Sequence, residues 1–282
     1  MSDVALGVRI AQGLRVRTTT SARKSARRTF RRAWLAGLAA LALASAPLRA
    51  APCVFEPQGE GRVAEIIDGK SFRLADGREI RLAGIEPAGA TKAERIAALA
   101  AILAGKDISL HGTDDTPDRY GRQSAFVVLA ESDALVQTVL LSQGAALASA
   151  DIPDKACSDA LSTAESEARA GKKGTWAGTT VIKNAESADD IAAGIGRFLL
   201  VEGKVLSVRQ AGAMTYLNFG RRWTRDFAAT ISRRNMPAVE SAGVALKSLE
   251  NRRIRVRGWV EARPGPRIEV VRAGQIEVLG GN

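Results

Sequence analysis

The feature that most restricts the fold is a predicted β-hairpin in the first half of the chain. Two short runs of alternating apolar and polar residues, 71–74 and 79–83, flank an Asp76-Gly77 turn. An Asp-Gly pair between such runs is a strong hairpin signal because it readily adopts the positive φ angles of tight turns. We therefore expect an antiparallel sheet here, with Arg81 on its second strand.

The surrounding residues predict a small barrel decorated with helices. Strands are expected at 62–67, 71–74, 79–83, 107–110 and 123–129. Helices are expected at 91–104, 132–142 and 155–170, and a capping box of Thr91 and Glu94 opens the first of them. Five short strands interrupted by helices in this order indicate an OB barrel of the α+β class. The domain is expected to span residues 51–178.

A second domain is predicted at the C-terminal end. Residues 179–196 are small and polar with a short acidic run, which is typical of a linker. Beyond it, strands are expected at 197–208, 214–219, 226–231, 252–261 and 267–278, with a helix at 237–249. This order predicts a second five-stranded OB-like barrel over residues 197–282.

The first 50 residues have the composition of an export signal. Six basic residues between Arg23 and Arg32 precede an apolar run of fourteen residues, 33–46, and small residues follow it. Arg27-Arg28 resembles a twin-arginine signal, although an ordinary secretory signal fits equally well. A membrane-spanning helix needs about 20 apolar residues, so a retained anchor is the less favoured alternative. The predicted destination is the periplasm or the extracellular space.

Two cysteines agree with that destination. Cys53 follows the signal and Cys157 lies on a predicted helix. An even number of cysteines in an oxidising compartment favours pairing, so we expect a Cys53–Cys157 disulfide.

Three short motifs in the first half carry a family resemblance. They read DGKS at 68–71, RLAGIEPAG at 81–89 and DRYGR at 118–122. These segments resemble the D-G-D-T, R-L-x-x-x-D-x-P-E and D-[KR]-Y-G-R segments of the thermonuclease, or staphylococcal-nuclease-like, family. The resemblance covers residues 60–177 and implies a calcium-dependent endonuclease fold. The second half resembles a C-terminal module that accompanies some bacterial members.

The resemblance assigns roles to individual residues. Arg81 and Arg122 match the two arginines that clamp the scissile phosphate, and Glu86 matches a calcium-binding aspartate. Lys70 stands where the family has a second calcium ligand, and Gly89 stands where it has the glutamate that activates water. No cofactor is therefore expected, and Ca²⁺ would bind only if the family activity were retained.

These replacements favour binding over catalysis. Calcium prefers several oxygen ligands, of which only Asp68 and Glu86 remain, and a general base is typically worth about 10² to 10⁴ in rate. Lys70, Tyr120 and the two arginines remain suited to holding a phosphate.

Charge is divided unevenly along the chain. The net charge is +11, but residues 1–50 carry +9 of it, residues 51–178 carry −5 and residues 179–282 carry +7. The candidate polyanion-binding cluster therefore lies in the second half and consists of Arg221, Arg222, Trp223 and Arg225. The alternative is that the neighbouring aromatic residues fill the barrel and these arginines form a solvated face.

Three functional hypotheses follow. The first is an exported, catalytically degenerate thermonuclease-like protein that binds nucleic acid or another phosphate-rich polymer. The second is a working metal-dependent phosphodiesterase with a relocated acid or metal site, and the third is an envelope scaffold that binds protein. Oligomeric state is not predicted. The sequence shows no glycine-rich phosphate loop, Cys/His metal cluster or Ser-His-Asp arrangement.

Overall fold

The structure, a computed structural model, describes Cys53 and residues 55–280. The predicted export signal at 1–50 lies outside these residues. Within the described part, no helix is both long and apolar enough to cross a membrane.

The first half forms the predicted closed barrel. Its five strands are β1 (Glu56–Ile66), β2 (Ser71–Leu74), β3 (Glu79–Leu82), β5 (Asp107–Gly112) and β6 (Arg122–Leu129). They are arranged in the order β1-β2-β3-β6-β5, and β1 closes the barrel because it pairs with both β2 and β5. The β3–β6 pair is parallel and the other pairs are antiparallel. The predicted α+β class and the OB barrel are confirmed.

Three helices and a small two-stranded sheet surround this barrel. The helices are α1 (Lys92–Leu103), α2 (Val136–Ser142) and α3 (Lys155–Ala170), and the small sheet pairs β4 (Ile85–Pro87) with β7 (Ala146–Ala148). The capping box of Thr91 and Glu94 is present at the start of α1. The predicted Cys53–Cys157 disulfide is confirmed, and it closes a sequence separation of 104 residues.

The barrel core follows from strand alternation. Phe72, Leu74, Ile80 and Leu82 alternate along β2 and β3 and are fully buried, as expected for residues on the inner face of a sheet. Leucines of all three helices join the same apolar cluster. The polar residues of β2 and β3 consequently point outward, which places Arg81 on the outer face.

The second half contains eight strands rather than the five predicted. They are β8 (Ile182–Asn184), β9 (Phe198–Lys204), β10 (Ser207–Ala211), β11 (Met214–Asn218), β12 (Ala228–Ser232), β13 (Arg253–Ala262), β14 (Pro266–Glu269) and β15 (Ile276–Val278). The sheet order is β10-β11-β12-β14-β13-β9-β8, with β15 also paired to β13. The predicted first and last strands are each divided in two, and β8 is additional.

The OB-like order is nevertheless repeated. β9 and β10 are consecutive parts of one strand, separated only by Val205 and Leu206, so this stretch pairs with β13 at one end and with β11 at the other. The parallel pair β12–β14 corresponds to β3–β6 of the first barrel. The second half is therefore an OB-like domain with added strands.

The second half differs from the expected secondary structure in two places. The segment 179–196, expected to be a linker, contains β8, which pairs in parallel with β9, and a helix, α4 (Ala188–Ala192). Ala185 and Ile191 are buried in the second core. The predicted helix at 237–249 is instead a short α5 (Met236–Glu240) and a 3₁₀ turn at Leu246–Leu249, separated by Gly243 at φ +87°.

A buried ion pair joins the two halves. The two Arg257 terminal nitrogens, on β13, donate to the two Glu165 carboxylate oxygens, on α3, at 2.9 and 3.0 Å. Arg257 also donates to the Ala148 carbonyl at 2.9 Å, and Glu165 accepts from the Ala148 N–H at 2.6 Å. The described residues accordingly fall in one compact unit.

Candidate functional site

A polar pocket opens beside the first barrel where the family resemblance placed the catalytic site. It has a volume of about 300 Å³. Four charged residues line it, namely Lys70, Arg81, Glu86 and Asp151, together with the hydroxyl residues Thr113, Ser124 and Ser149. The structure therefore brings three of the predicted site residues to one place.

Lys70 and Glu86 form an ion pair inside this pocket. Lys70 Nζ donates to Glu86 Oε1 at 2.6 Å, and each residue is only 8% exposed. Burial lowers the pKa of Lys70 below its usual value, whereas the adjacent Glu86 carboxylate acts in the opposite direction. A lysine ammonium thus lies directly against the carboxylate that the resemblance assigned to calcium.

Asp68 positions Lys70 without entering the ion pair. Its Oδ1 accepts the backbone N–H groups of both Lys70 and Ser71 at 2.7 Å. An aspartate that bonds to the backbone two residues further along stabilises a tight turn. Asp68 therefore holds the turn that directs Lys70 toward Glu86.

The register of β3 and β6 places the two phosphate-clamp candidates on the same side. Arg81 is opposite Ser124 and Glu79 is opposite Arg122, so the arginines lie on adjacent strands two positions apart. Residues two apart on a strand face the same side of the sheet. Arg81 lines the pocket, whereas Arg122 is held beside it by the loop that follows β5.

Asp118 controls the orientation of Arg122. Arg122 donates from Nε and Nη2 to Asp118 Oδ2 at 3.0 and 2.7 Å. The Arg122 side chain and then its backbone N–H hold the pKa of Asp118 down at about 2, and the same hydrogen bonding raises the pKa of Arg122. Tyr120 is 65% exposed, and the Arg119 and Arg122 guanidiniums lie 4.7 and 5.0 Å from its ring centroid.

Gly89, where the resemblance expected the general base, lies in a different cleft. That cleft is also lined by Arg95, whose Nη1 donates to the Gly89 carbonyl at 2.9 Å. Gly89 has φ +125°, and a Cβ there would lie 3.2 Å from Arg95 Cγ. A larger side chain at this position would be strained.

Asp151 is the pocket residue that sequence reasoning missed. It follows β7, and β7 reaches the pocket only because it pairs with β4, with Leu147 opposite Glu86. The Ser149 hydroxyl donates to Asp151 at 2.5 Å, which fixes this carboxylate at the pocket rim. No local motif marks Asp151, because its position depends on a pairing between segments about 60 residues apart.

The calcium chemistry of the family does not fit these residues. An ammonium bonded to Glu86 repels a divalent cation and uses the oxygen that would bind it. Among the described residues, no group of three or more His, Cys, Asp or Glu side chains converges as a metal site would require.

The predicted arginine cluster of the second half is divided by the structure. Arg221 and Trp223 line a groove of about 880 Å³. Arg222 instead faces Asp226 at 3.7 Å, and Arg225 bonds to Asp189 at 3.0 Å. The nearby Phe219 and Phe227 are buried and pack together, as the alternative interpretation expected for the aromatic residues.

Comparison with known proteins supports the family resemblance of the first half. Residues 89–178 match the family model described as staphylococcal nuclease homologue. This range includes the Asp118–Arg122 loop and Asp151, and it begins after Lys70, Arg81 and Glu86. No curated protein matches the chain. The matched range and the closed five-stranded barrel together show that the first half of this chain contains a domain similar to the staphylococcal nuclease homologue family.

Proposed function

We propose that this thermonuclease-like protein is exported and binds nucleic acid or another phosphate-rich polymer without the calcium-dependent hydrolysis of its family. The observation that carries the proposal is the buried Lys70–Glu86 ion pair. In this pair the Lys70 ammonium is bonded to the carboxylate to which the family resemblance assigns a metal ion.

Two features of the site oppose catalysis. A divalent ion would have to displace an ammonium that is already bonded and desolvated, and breaking a buried ion pair is costly. The residue expected to activate water is also replaced by Gly89, which has no side chain to accept a proton. Without the metal and the base, most of the rate enhancement of such a site is lost.

The same pocket retains groups that suit phosphate binding. Arg81 and Lys70 line it, together with the hydroxyl residues Thr113 and Ser124 as further donors. Guanidinium groups bind phosphate oxygens in a bidentate manner. Arg122 begins β6, two residues before the pocket residue Ser124, and Tyr120 precedes it in the loop after β5. Both side chains would extend this surface along a polymer backbone.

Export is supported by two independent features. The basic and apolar pattern of residues 1–50 is that of a signal sequence, and the Cys53–Cys157 disulfide is expected of proteins from oxidising compartments. Fractionation of cells expressing the full chain tests this proposal, which requires the protein in the periplasm or medium. Recovery in the cytosol with free thiols would contradict it.

A second candidate function rests on Asp151. This carboxylate and Glu86 line the same pocket as Arg81, so two acids and an arginine converge there. Such a set could support a phosphodiesterase in which Asp151 replaces the missing base. This alternative predicts cleavage that depends on both Asp151 and Arg81.

Cleavage of single-stranded DNA by the exported protein separates the two candidates. We expect no calcium-stimulated cleavage above that of an Arg81→Ala variant, together with oligonucleotide binding at low salt. Calcium-stimulated cleavage that is lost in Asp151→Asn and Arg81→Ala would establish the second candidate. Absence of both binding and cleavage would favour the protein-binding scaffold.

A reversion experiment tests the role of Lys70 directly. Lys70→Asp should introduce calcium binding that calorimetry can detect, because it replaces an ammonium with a carboxylate beside Glu86. Lys106→Asp is the matched control, since Lys106 is exposed and pairs with Glu131 outside the pocket. Equal calcium binding by the two variants would show that Lys70 does not occupy the metal position.

A further inference from the structure

The groove of the second barrel is lined by several separate segments of the OB-like domain. Its floor consists of β10 and β11, where Arg209 is directly opposite Tyr216. The segment after β11 contributes Arg221 and Trp223 at one side. Residues 263–267, which form the turn between β13 and β14 and the start of β14, also line the groove.

The groove has a strongly positive lining. Four arginines line it, namely Arg209, Arg221, Arg263 and Arg267, and no Asp or Glu is among its described lining residues. These arginines come from separate segments, so only the folded chain brings them together. Of the three arginines that lie close together in sequence at 221–225, only Arg221 lines the groove.

Arg267 shows that this charge is incompletely neutralised. Its side chain is 15% exposed, and its nearest ion-pair contact, from Nε to Glu261, is 4.0 Å long. The buried Nε atom has no hydrogen-bond partner among the described residues. The Arg267 guanidinium therefore has only a distant counterion, and its positive charge remains available to attract an anion in the groove.

Aromatic surface accompanies the positive charge. Trp223 is 73% exposed, and Tyr216 presents part of its ring to the groove. Among the described residues, Trp223 is the most exposed of the large apolar side chains. Arginines interleaved with accessible rings are the arrangement that holds single strands, because rings stack on bases while guanidiniums contact phosphates.

We propose that this groove binds single-stranded nucleic acid, with bases stacked on Trp223 and Tyr216 and phosphates held by Arg209, Arg221, Arg263 and Arg267. This inference rests on the nucleic-acid binding proposed above and assigns it to the second barrel. A duplex conceals the faces of its bases from these rings. An acidic peptide would use the arginines and leave the rings without a stacking partner.

The charge contribution is tested with two matched triple variants of the exported full-length protein. One is Arg209→Ala/Arg221→Ala/Arg263→Ala in the groove, and the other is Arg233→Ala/Arg234→Ala/Arg253→Ala, three exposed arginines of the same domain outside it. Binding of a labelled single-stranded oligonucleotide is measured by anisotropy over a range of salt. Each neutralised phosphate contributes a slope of about −0.7, so the groove variant should flatten the salt dependence by about two units. The control variant should leave the slope unchanged.

The stacking contribution is tested at two exposed tryptophans. Trp223→Ala should weaken single-strand binding by roughly 5- to 150-fold with little change in the salt slope, as expected for the loss of one stacked base. Trp259→Ala is the control, because Trp259 is 50% exposed but lies outside the groove. The affinity of the Trp259→Ala variant for the single-stranded oligonucleotide should equal that of the parent protein.

The outcomes distinguish failure of the groove from failure of the proposed function. If the parent binds and the groove variant binds equally well, the groove assignment is overturned while nucleic-acid binding stands. If the parent binds no oligonucleotide at low salt, the proposed function itself fails. Equal binding of duplex DNA or polyglutamate with no effect of Trp223→Ala would overturn the single-strand assignment and indicate an acidic partner.

Discussion

The buried Arg257–Glu165 ion pair should be essential to the stability of the whole molecule. The Arg257 and Glu165 side chains are 6% and 1% exposed. Arg257→Ala would leave a buried carboxylate with the Ala148 N–H as its one remaining hydrogen-bond donor among the described residues. Removing one partner of a buried pair typically costs about 3 to 5 kcal/mol. For a protein of this size, that corresponds to a fall in Tm of roughly 6 to 20 °C.

Urea denaturation followed by tryptophan fluorescence and circular dichroism measures this cost. The matched control is Arg253→Ala on the same strand, whose 61% exposed side chain pairs with Glu202 and should contribute only about 0 to 1 kcal/mol. Arg257→Met combined with Glu165→Leu should cost less than the sum of the single changes, since no buried charge is left unpaired. A loss below about 1 kcal/mol for Arg257→Ala, or strict additivity in the double variant, would refute the reasoning.

Three further predictions concern the first barrel. Reducing Cys53–Cys157 should lower the free energy of unfolding by up to about 4 to 5 kcal/mol in the chain-entropy model, given the separation of 104 residues, and a melt with and without reductant measures it. Asp118 should titrate at about pH 2 by carboxyl NMR, because its pKa is lowered from 3.8 to about 2. The contribution of Asp118 to stability is therefore present above pH 3.8 and is lost as the pH falls through about 2. Arg122→Ala should return that titration toward 3.8, and an unchanged titration would contradict the hydrogen-bond assignment. Lys70→Met should destabilise the fold, because it leaves the buried Glu86 carboxylate without its cation, and urea denaturation measures the loss. A loss no larger than that of Lys106→Met, at a lysine whose side chain is 40% exposed, would contradict this.

The Arg257–Glu165 ion pair also determines which fragments of the chain are expected to fold. A fragment beginning at residue 197 would lack β8 and would leave Arg257 without Glu165. Its failure to bind a ligand could therefore reflect misfolding. The binding experiments are for this reason designed with point variants of the full chain.

Local sequence patterns were sufficient to predict much of the first barrel. The Asp76-Gly77 turn, the strands around it, the Thr91–Glu94 capping box and α3 follow from interactions between residues close in sequence. These signals are reliable because turn geometry, capping and strand alternation are short-range effects. The even cysteine count similarly predicted the disulfide.

The set of residues that line the pocket depends partly on local sequence motifs and partly on tertiary structure. The motifs predicted Lys70, Arg81 and Glu86 at one site, and all three line the same pocket because they lie in or next to one hairpin and the strand that follows it. Asp151 could not be predicted, since it enters the pocket through the β4–β7 pairing. The direct contact of Lys70 with Glu86 likewise required the folded backbone.

In the second half, tertiary structure decided the role of each arginine. The sequence showed a positive charge on residues 179–282 and an arginine-rich strand, β13, but alternation alone would expose Arg253, Arg255 and Arg257 alike. Arg257 is buried because its face of β13 packs against α3 of the first barrel. Charge and periodicity are properties of the sequence, whereas the exposure of an outward-facing side chain depends on which distant segment covers it.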